Sequence, residues 1–338
     1  MARVLALGEV MCRLSCGGGV RLADATSFSA CYGGAEANVA VSLANFGHDV
    51  TMATKVPEGP LGDAVVRHLR RSGVDVSRVL RGGARLGTYY LEMGTANRGS
   101  VAVYDRAGSS FATMDPGEWD LDALFDGVEL FHITGICPAL SATWRQRTVE
   151  LARAAADRGV AVSYDVNFRS TLWDWDSCMD AFRDVLPYVS VLSASWGDVQ
   201  SALGLGRTEW GEQAMRDAYG ALFSAHPNVR AVYCPRRVAR SSSSNDLTGY
   251  LFVAGEGGEP LRHVSRTFTM EPIVDRVGGG DAFAAGVLHG LLSGMGPQAT
   301  IDFACAAGTL KHSIFGDANV FSVREVSDFM ASGADVRR

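Results

Sequence analysis

Lysine is nearly absent from this 338-residue chain. Only Lys55 and Lys311 are lysines, against 29 arginines, and neither lysine follows a glycine. A phosphate loop of the Gly-Lys-Ser/Thr type is therefore excluded, because that loop needs a lysine directly after a glycine. Schiff-base chemistry is disfavoured too, since only two amines are available for it.

Long apolar runs and long basic runs are also missing. No apolar stretch reaches 18 residues, and the apolar start at residues 4–7 is too short for a signal peptide, so we expect no membrane partner. The net charge is −6 and no long basic run occurs, which argues against nucleic acid as a partner. The sequence predicts small-molecule partners and a cytoplasmic location.

Seven cysteines occur without a C-x-x-C pair. An odd number of scattered cysteines is typical of reduced cytosolic thiols. Cys12, Cys16 and Cys31 are close enough in sequence to be considered as metal ligands. No histidine lies near them, however, and buried packing is the favoured interpretation.

Short apolar runs alternate with stretches of helical period, and 47% of the residues are hydrophobic. This pattern predicts an α/β fold: a doubly wound, mostly parallel sheet with helices on both faces, as a single domain over residues 1–338. The predicted strands are 4–7, 49–54, 128–134, 160–165, 189–192 and 229–234. The predicted helices are 35–46, 61–72, 141–158, 209–225, 280–293 and 297–312.

Two insertions interrupt this alternation, at residues 11–32 and 86–106, where apolar and polar residues alternate without helices. They predict a small β-sheet flap over the strand ends, where ligands of such sheets bind. Unpaired strand edges tend to be covered, so the flap also predicts a homo-oligomer.

The most informative motif is DRVGGGD at residues 275–281, three glycines followed by an acid that opens a helix. Bare glycine amides and a helix N-terminus make an anion hole from Gly278, Gly279 and Gly280, suited to a migrating phosphoryl group. Asp281 beside it is the candidate base for an attacking hydroxyl. The simpler alternative is a helix-entry turn with a favourable first-turn acid.

A matching motif, GGAEANVA, occupies residues 33–40. Here too glycines run into a helix, and Asn38 has a side chain that both donates and accepts, which suits a polyhydroxylated ligand. The alternative is a flexible connection from flap to core.

Together these motifs resemble the signatures of the ribokinase-like, or PfkB, carbohydrate kinases, with D-x-x-G-x-G-D at residues 275–281. The resemblance is closest to the 2-keto-3-deoxygluconate kinases and runs from about Val4 to Phe329. Supporting segments are YDRAGS at 104–109, FHITGI at 131–136, DVNFR at 165–169 and LKHSIFGD at 310–317.

The resemblance implies ATP as donor, Mg²⁺ as cofactor and phosphoryl transfer to the terminal hydroxyl of a sugar acid, 2-keto-3-deoxygluconate. By matched position Asp281 is the base. The sugar site it implies consists of Gly34, Asn38, Tyr89, Tyr104, Arg106, Arg169 and Asp317. The nucleotide site consists of Ser195, Arg236 and Cys305, with Asp198 at the metal.

The arginines support an acid substrate independently, because a guanidinium binds a carboxylate in a bidentate pair. Arg106 and Arg169 are the candidates, although in a chain so rich in arginine either one can be surface charge. Tyr89 and Tyr104 have ordinary flap packing as an alternative. His132 is predicted to be a core histidine without a role in the site.

Two segments depart from the family pattern. An Asn-x-x-Glu motif is replaced by SWGD at residues 195–198, and the glycine-rich nucleotide loop is replaced by PRRVAR at 235–240, followed by a serine-rich loop. Two alternatives therefore stay open: a kinase for a neutral sugar or nucleoside, and a sugar-binding relative without turnover.

Overall fold

The centre of the molecule is a ten-stranded sheet in the computed structural model, which describes residues 1–332. The strands along the chain are β1 (Arg3–Leu7), β2 (Met11–Ser15), β3 (Ser29–Gly33), β4 (Asp49–Val56), β5 (Val79–Arg81), β6 (Thr88–Glu92), β7 (Val101–Asp105), β8 (Leu130–Thr134), β9 (Ala161–Asp165), β10 (Val191–Ser193), β11 (Ala231–Ala239), β12 (Asn245–Ala254), β13 (Pro260–Val264) and β14 (Phe268–Met270).

The central sheet has the order β13-β12-β11-β10-β9-β8-β1-β4-β5, and β14 also pairs with β12. From β11 to β5 every pairing is parallel, whereas β12, β13 and β14 pair in antiparallel fashion. The parallel part brings the carboxyl ends of its strands to one edge, which is where such sheets bind ligands.

Helices cover both faces of this sheet. They are α1 (Ala35–Asn45), α2 (Pro60–Arg71), α3 (Leu121–Phe125), α4 (Ile136–Ala139), α5 (Ala142–Asp157), α6 (Trp175–Val185), α7 (Trp196–Ala202), α8 (Glu212–Ala225), α9 (Gly279–Leu292), α10 (Pro297–Lys311) and α11 (Val323–Ser332).

Strand β1 shows why the sheet is buried on both sides. Leu5 and Leu7 belong to one hydrophobic core, with residues of α5, α6 and α8, while Val4 and Ala6 belong to the other, with residues of α1, α9 and α10. Successive side chains of a strand point to opposite faces, so an uninterrupted apolar run is buried against helices on both.

The predicted doubly wound fold is confirmed, and all six predicted strands and six predicted helices are present. Helices α3, α4, α6, α7 and α11, strand β5 and the antiparallel strands β12 to β14 were not predicted. The sequence prediction also ended a strand at Cys234 and expected a loop after it. That is wrong: β11 continues to Ala239, paired residue by residue with β12 from Ala231↔Val253 to Ala239↔Asn245.

The two insertions form a separate four-stranded sheet, in the order β3-β2-β6-β7, as predicted. This is the flap. On its inner face Met11, Tyr89 and Leu91 form a small hydrophobic cluster of their own, against which Val277 also packs. Strand β7 at its edge is exposed throughout. Across residues 1–332, none of the helices has both the length and the apolar character needed to cross a membrane.

Candidate active site

A cavity of about 490 Å³ lies at the carboxyl edge of the parallel strands, beneath the flap. Asp165 ends β9 and Ser193 ends β10, and both line it. The flap contributes Met11 and Tyr89 from the opposite side, and the start of α9 closes one end. The topology therefore brings residues from distant parts of the chain into one enclosed space.

Ten of the predicted site residues line this cavity. They are Gly34, Asn38, Tyr89, Tyr104, Arg106, Arg169, Gly278, Gly280, Asp281 and Asp317. Gly279 does not line it, because it is buried in the first turn of α9, where a Cβ atom would overlap the ring of His312. The middle glycine thus serves close packing, while its two neighbours face the cavity.

Asp281 lies half-buried in the first turn of α9. Its Oδ2 accepts a hydrogen bond of 2.7 Å from Nδ2 of Asn38. Burial raises the pKa of Asp281 to about 7, with the nearby Asp165 adding to the rise and the Asn38 bond opposing it. A carboxylate with a pKa near neutrality can both hold and release a proton at physiological pH.

The backbone N–H groups of Gly280 and Asp281 point away from the helix without an acceptor among residues 1–332. In contrast, the N–H of Ala282 already donates to the carbonyl of Gly278 at 2.9 Å. Free amides at a helix N-terminus attract anions through direct donation and through the helix dipole. The side chain of Asp281 and these free amides therefore face the same cavity.

Two glycines are required by close backbone approach. Gly278 has φ of +79°, and a Cβ there would overlap the carbonyl oxygen of Asp317. A Cβ on Gly34 would overlap the carbonyl oxygen of Glu9. Any larger residue would displace the loops that carry the site.

Behind the cavity lies a fully buried arginine that the sequence analysis missed. Arg13 of β2 donates to Asp275 at 2.7 Å and to Asp317 at 2.6 Å. Asp275 also accepts from the N–H of Val277 and the N–H of Gly316. Arg13 is one of 29 arginines in an alternating strand, so the sequence carries no local signal that distinguishes it. Asp275, the first residue of the DRVGGGD motif, was the one feature of the sequence that indicated a cation nearby.

The two candidate arginines of the sugar site differ in their surroundings. Arg106 is 7% exposed, and its guanidinium is already paired with the buried Glu9 through Nε at 2.8 Å. Arg169 follows β9 and is exposed, and its guanidinium makes no hydrogen bond or ion pair within residues 1–332. Its charge instead lowers the pKa values of Asp165 and Asp281, each of which burial raises overall.

Tyr89 and Tyr104 stack on each other, with ring centroids 5.4 Å apart, and both line the cavity. The hydroxyl of Tyr89 donates to Oδ2 of Asp317 at 2.5 Å. Tyr89 is buried, whereas Tyr104 is 40% exposed. These two side chains therefore pack within the flap and also line the cavity. His132 is buried next to Ser163, away from the cavity, as its core interpretation requires.

The residues predicted for the nucleotide are divided. Ser195 and Arg236 line a neighbouring cavity of about 290 Å³, where Arg236 lies 3.5 Å above the ring of Trp210. Cys305 is fully buried in α10, with its Sγ near the carbonyl of Leu247, so the thiol has no access to a nucleotide.

Asp198 and Ser195 form a capping box at the start of α7. Oδ2 of Asp198 accepts from the N–H of Ser195 at 2.7 Å, and Oγ of Ser195 accepts from the N–H of Asp198 at 3.2 Å. One carboxylate oxygen remains for other ligands. Burial raises the pKa of Asp198, and its charge adds to the rise in the pKa of Asp165, which reaches about 6 chiefly through burial.

Fold and cavity together define a ribokinase-like phosphotransferase: a doubly wound sheet, a β-flap and a ligand cavity between them at the carboxyl edge of the strands. The chain belongs to the pfkB family of carbohydrate kinases, whose profile matches residues 1–236 and 244–321. It is accordingly an enzyme that transfers a phosphoryl group to a sugar.

Several relatives match over nearly the whole chain. A protein of Haloferax volcanii named 2-dehydro-3-deoxygalactonokinase is 32% identical, over 98% of both chains. A Bacillus subtilis protein named 2-dehydro-3-deoxygluconokinase is 27% identical, over 94% of this chain and 92% of its own length. The crystal structure of a Thermotoga maritima 2-dehydro-3-deoxygluconokinase is 36% identical, covers 98% of both chains and superposes with a TM-score of 0.91.

Proposed function

We propose that the chain transfers the γ-phosphoryl group of ATP to the terminal hydroxyl of 2-keto-3-deoxygluconate. The observation that supports this most is the position of Asp281, held by Asn38 beside two amides that have no acceptor in residues 1–332. The names of the relatives support the acceptor, because 2-dehydro-3-deoxygluconate is the same compound under another name.

In this mechanism the sugar oxygen forms a bond to the γ-phosphorus while the bond from that phosphorus to the bridging oxygen of ADP breaks. Asp281 takes the proton of the attacking hydroxyl. The amides of Gly280 and Asp281 stabilise the charge on the migrating phosphoryl group, with Gly278 and Gly279 shaping the turn. Positioning and charge stabilisation therefore account for the chemistry that the protein contributes.

We assign the acceptor carboxylate to Arg169, because it is the candidate arginine without a protein partner in residues 1–332. Arg106 completes the pocket wall but is already neutralised by Glu9. Gly34, Asn38 and Tyr104 offer close approach or hydrogen bonds to hydroxyl groups, and Asp317 keeps acceptor capacity beyond Arg13 and Tyr89.

On the donor side, Ser195 and Arg236 are the proposed nucleotide contacts. Mg²⁺ when bound supplies charge neutralisation of the phosphates. The free oxygen of Asp198, close enough to Asp165 to raise its pKa, fits such an ion. Residues 1–332 contain no cluster of three metal-ligating side chains. That agrees with Mg²⁺, which usually takes one or two carboxylates and completes its shell with water and phosphate oxygens.

A second acceptor has a specific observation in its favour. The 32% identical relative is named for the galactonate, which differs from the gluconate in the configuration of one hydroxyl group. An acceptor screen with MgATP tests both together with fructose and ribose, using coupled detection of ADP. Turnover restricted to the two keto acids supports the proposal. Turnover with neutral sugars, or sugar binding without ADP release, would replace it with one of the alternatives.

We further propose that the flap pairs two subunits and that the protein acts in the cytoplasm. Val101 and Val103 of the edge strand β7 are 46% and 49% exposed, and Phe28, which packs on Tyr90 of β6, is 41% exposed. Covering apolar side chains and a free strand edge in one contact favours association. All seven cysteines are free thiols, which supports the proposed cytoplasmic location. Sedimentation of the wild-type chain, compared with Val103→Glu, tests the pairing.

A further inference from the structure

The extension of β11 places charged side chains where the family pattern has glycines. From Pro235 to Ala239 the chain is an extended strand paired with β12. A glycine-rich turn can aim successive N–H groups at one phosphate, but an extended strand directs them alternately to opposite sides. The backbone of this segment therefore cannot surround a phosphate, and recognition must come from side chains.

Arg237 is the side chain in position to do this. It lines the main cavity together with Gly278, Gly280 and Asp281, and it also lines the neighbouring cavity that holds Ser195 and Arg236. The Arg237 side chain is exposed, and its guanidinium forms no hydrogen bond or ion pair within residues 1–332. Its guanidinium thus lies where the two proposed substrate spaces meet, with its donors uncommitted.

A second cation, Arg276, lies near Arg237 and forms no ion pair within residues 1–332. Burial lowers the pKa of Arg276, and the charge of Arg237 lowers it further. Burial lowers the pKa of His312 to about 4, and Lys311, Arg237 and Arg276 add to that effect. Unneutralised like charges beside free helix amides form a region of positive potential, which an anion would stabilise.

The segment that carries Arg237 is fixed to the anion-hole loop. Nε of Arg276 donates to the carbonyl of Ser242 at 2.8 Å, and its Nη2 donates to the carbonyl of Ser241 at 2.5 Å. The N–H of Ile273 donates to the carbonyl of Ser243 at 2.9 Å. These bonds join the turn between β11 and β12 to the loop before Gly278, so Arg237 keeps a defined position relative to the amides.

We propose that Arg237 binds the phosphate groups of the nucleotide donor and takes the place of the glycine-rich loop. This inference rests on the proposed kinase function and adds a phosphate contact to it. Arg169 and Arg237 line the same cavity with guanidinium groups that have no partner in residues 1–332, but their neighbours differ. The charge of Arg169 lowers the pKa values of Asp165 and Asp281, whereas the charge of Arg237 lowers those of Arg276 and His312. The acceptor carboxylate is assigned to the former and the donor phosphates to the latter.

Direct binding of MgATP and of AMP to the purified chain tests this assignment, with Arg237→Ala, Arg237→Lys and wild type compared by calorimetry. Loss of a charge-assisted hydrogen bond should weaken MgATP binding roughly tenfold to a hundredfold. AMP, which lacks the β- and γ-phosphates, should bind within about twofold of wild type. Arg237→Lys should recover part of the loss, because it keeps the charge but not the planar fork.

Arg240→Ala is the matched control, since Arg240 lies on the same hairpin but is paired with Asp246 at 2.6 Å. It should bind MgATP as wild type does. Unchanged MgATP affinity in Arg237→Ala, or an equal loss for AMP, would overturn the inference. So would a rise in KM for the sugar acid alone.

Failure of the proposed function gives a different result. If the wild-type chain released no ADP with any sugar acid, the kinase proposal would fall, while the comparison of MgATP with AMP would still decide the role of Arg237.

Discussion

Nδ2 of Asn38 lies 2.7 Å from Oδ2 of Asp281, and this bond joins the first turn of α1 to the first turn of α9 across 243 positions of sequence. Each residue follows a glycine segment, and each helix begins at the same cavity. The bond fixes the carboxylate of Asp281 and favours its charged form, since an amide donor stabilises a carboxylate more than a carboxylic acid. The two glycine motifs therefore act as one unit.

Replacement of Asp281 by Asn should remove the proton acceptor while retaining shape. We expect kcat to fall by about 10²–10⁴-fold, the usual contribution of a general base. Coupled ADP release at saturating substrates measures the loss. MgATP affinity, followed by calorimetry, should remain near that of wild type, and undiminished turnover would show that another group is the base.

The pH dependence should follow the pKa of Asp281, which is about 7. Below that pH the group is protonated and cannot accept a proton, so kcat should fall on the acid side. Asn38→Ala removes the donor that lowers this pKa, and the acid limb should therefore move to higher pH. An acid limb at the same pH in both proteins would contradict this origin of the profile.

Stability should respond to the same group with a defined sign. Because the pKa of Asp281 is raised in the folded state above its usual 3.8, its contribution to the free energy of unfolding is full below that value and is lost as pH rises through about 7. Asp281→Asn should thus be more stable than wild type at about pH 8, with the advantage shrinking towards about pH 5. Urea denaturation at both pH values measures the difference.

The sequence predicted the parallel sheet, both glycine motifs and the flap, because apolar runs and glycine spacing are local signals. It did not predict the course of residues 235–239, whose strand depends on pairing with β12 rather than on its own exposed residues. Nor did it separate Arg13, Arg106 and Arg169, which differ in burial and in partners that are distant in sequence. Gly279 was predicted as part of the anion hole with its two neighbours. It is buried away from the cavity, and the ring of His312 occupies the space where its Cβ would lie.

Arg169→Ala should raise KM for the sugar acid and leave KM for ATP almost unchanged. Loss of a bidentate charged contact predicts an increase of roughly tenfold to a hundredfold. Arg324→Ala is a suitable control, because the Arg324 side chain is 90% exposed and lines neither cavity of the site. Equal effects on both substrates would exclude Arg169 as the carboxylate anchor.

Arg13→Met should destabilise the fold strongly. It leaves Asp275 and Asp317 buried without their cation, and breaking such a pair typically costs about 3–5 kcal/mol. Urea denaturation measures the change. Arg85→Ala, which removes the exposed pair with Asp105, should cost no more than about 1 kcal/mol. A loss of similar size in both variants would contradict the importance of burial.

The burial of Arg13 also restricts how the cavity can open. Strand β2 cannot leave the core without carrying a guanidinium away from two carboxylates, so it cannot swing outward as part of a rigid lid. Strand β7 has no buried ion pair within residues 1–332, only the exposed pair of Asp105 with Arg85, and it is exposed along its length. Entry and departure of the sugar should therefore depend on bending of the outer strand β7, with β2 as a stationary wall.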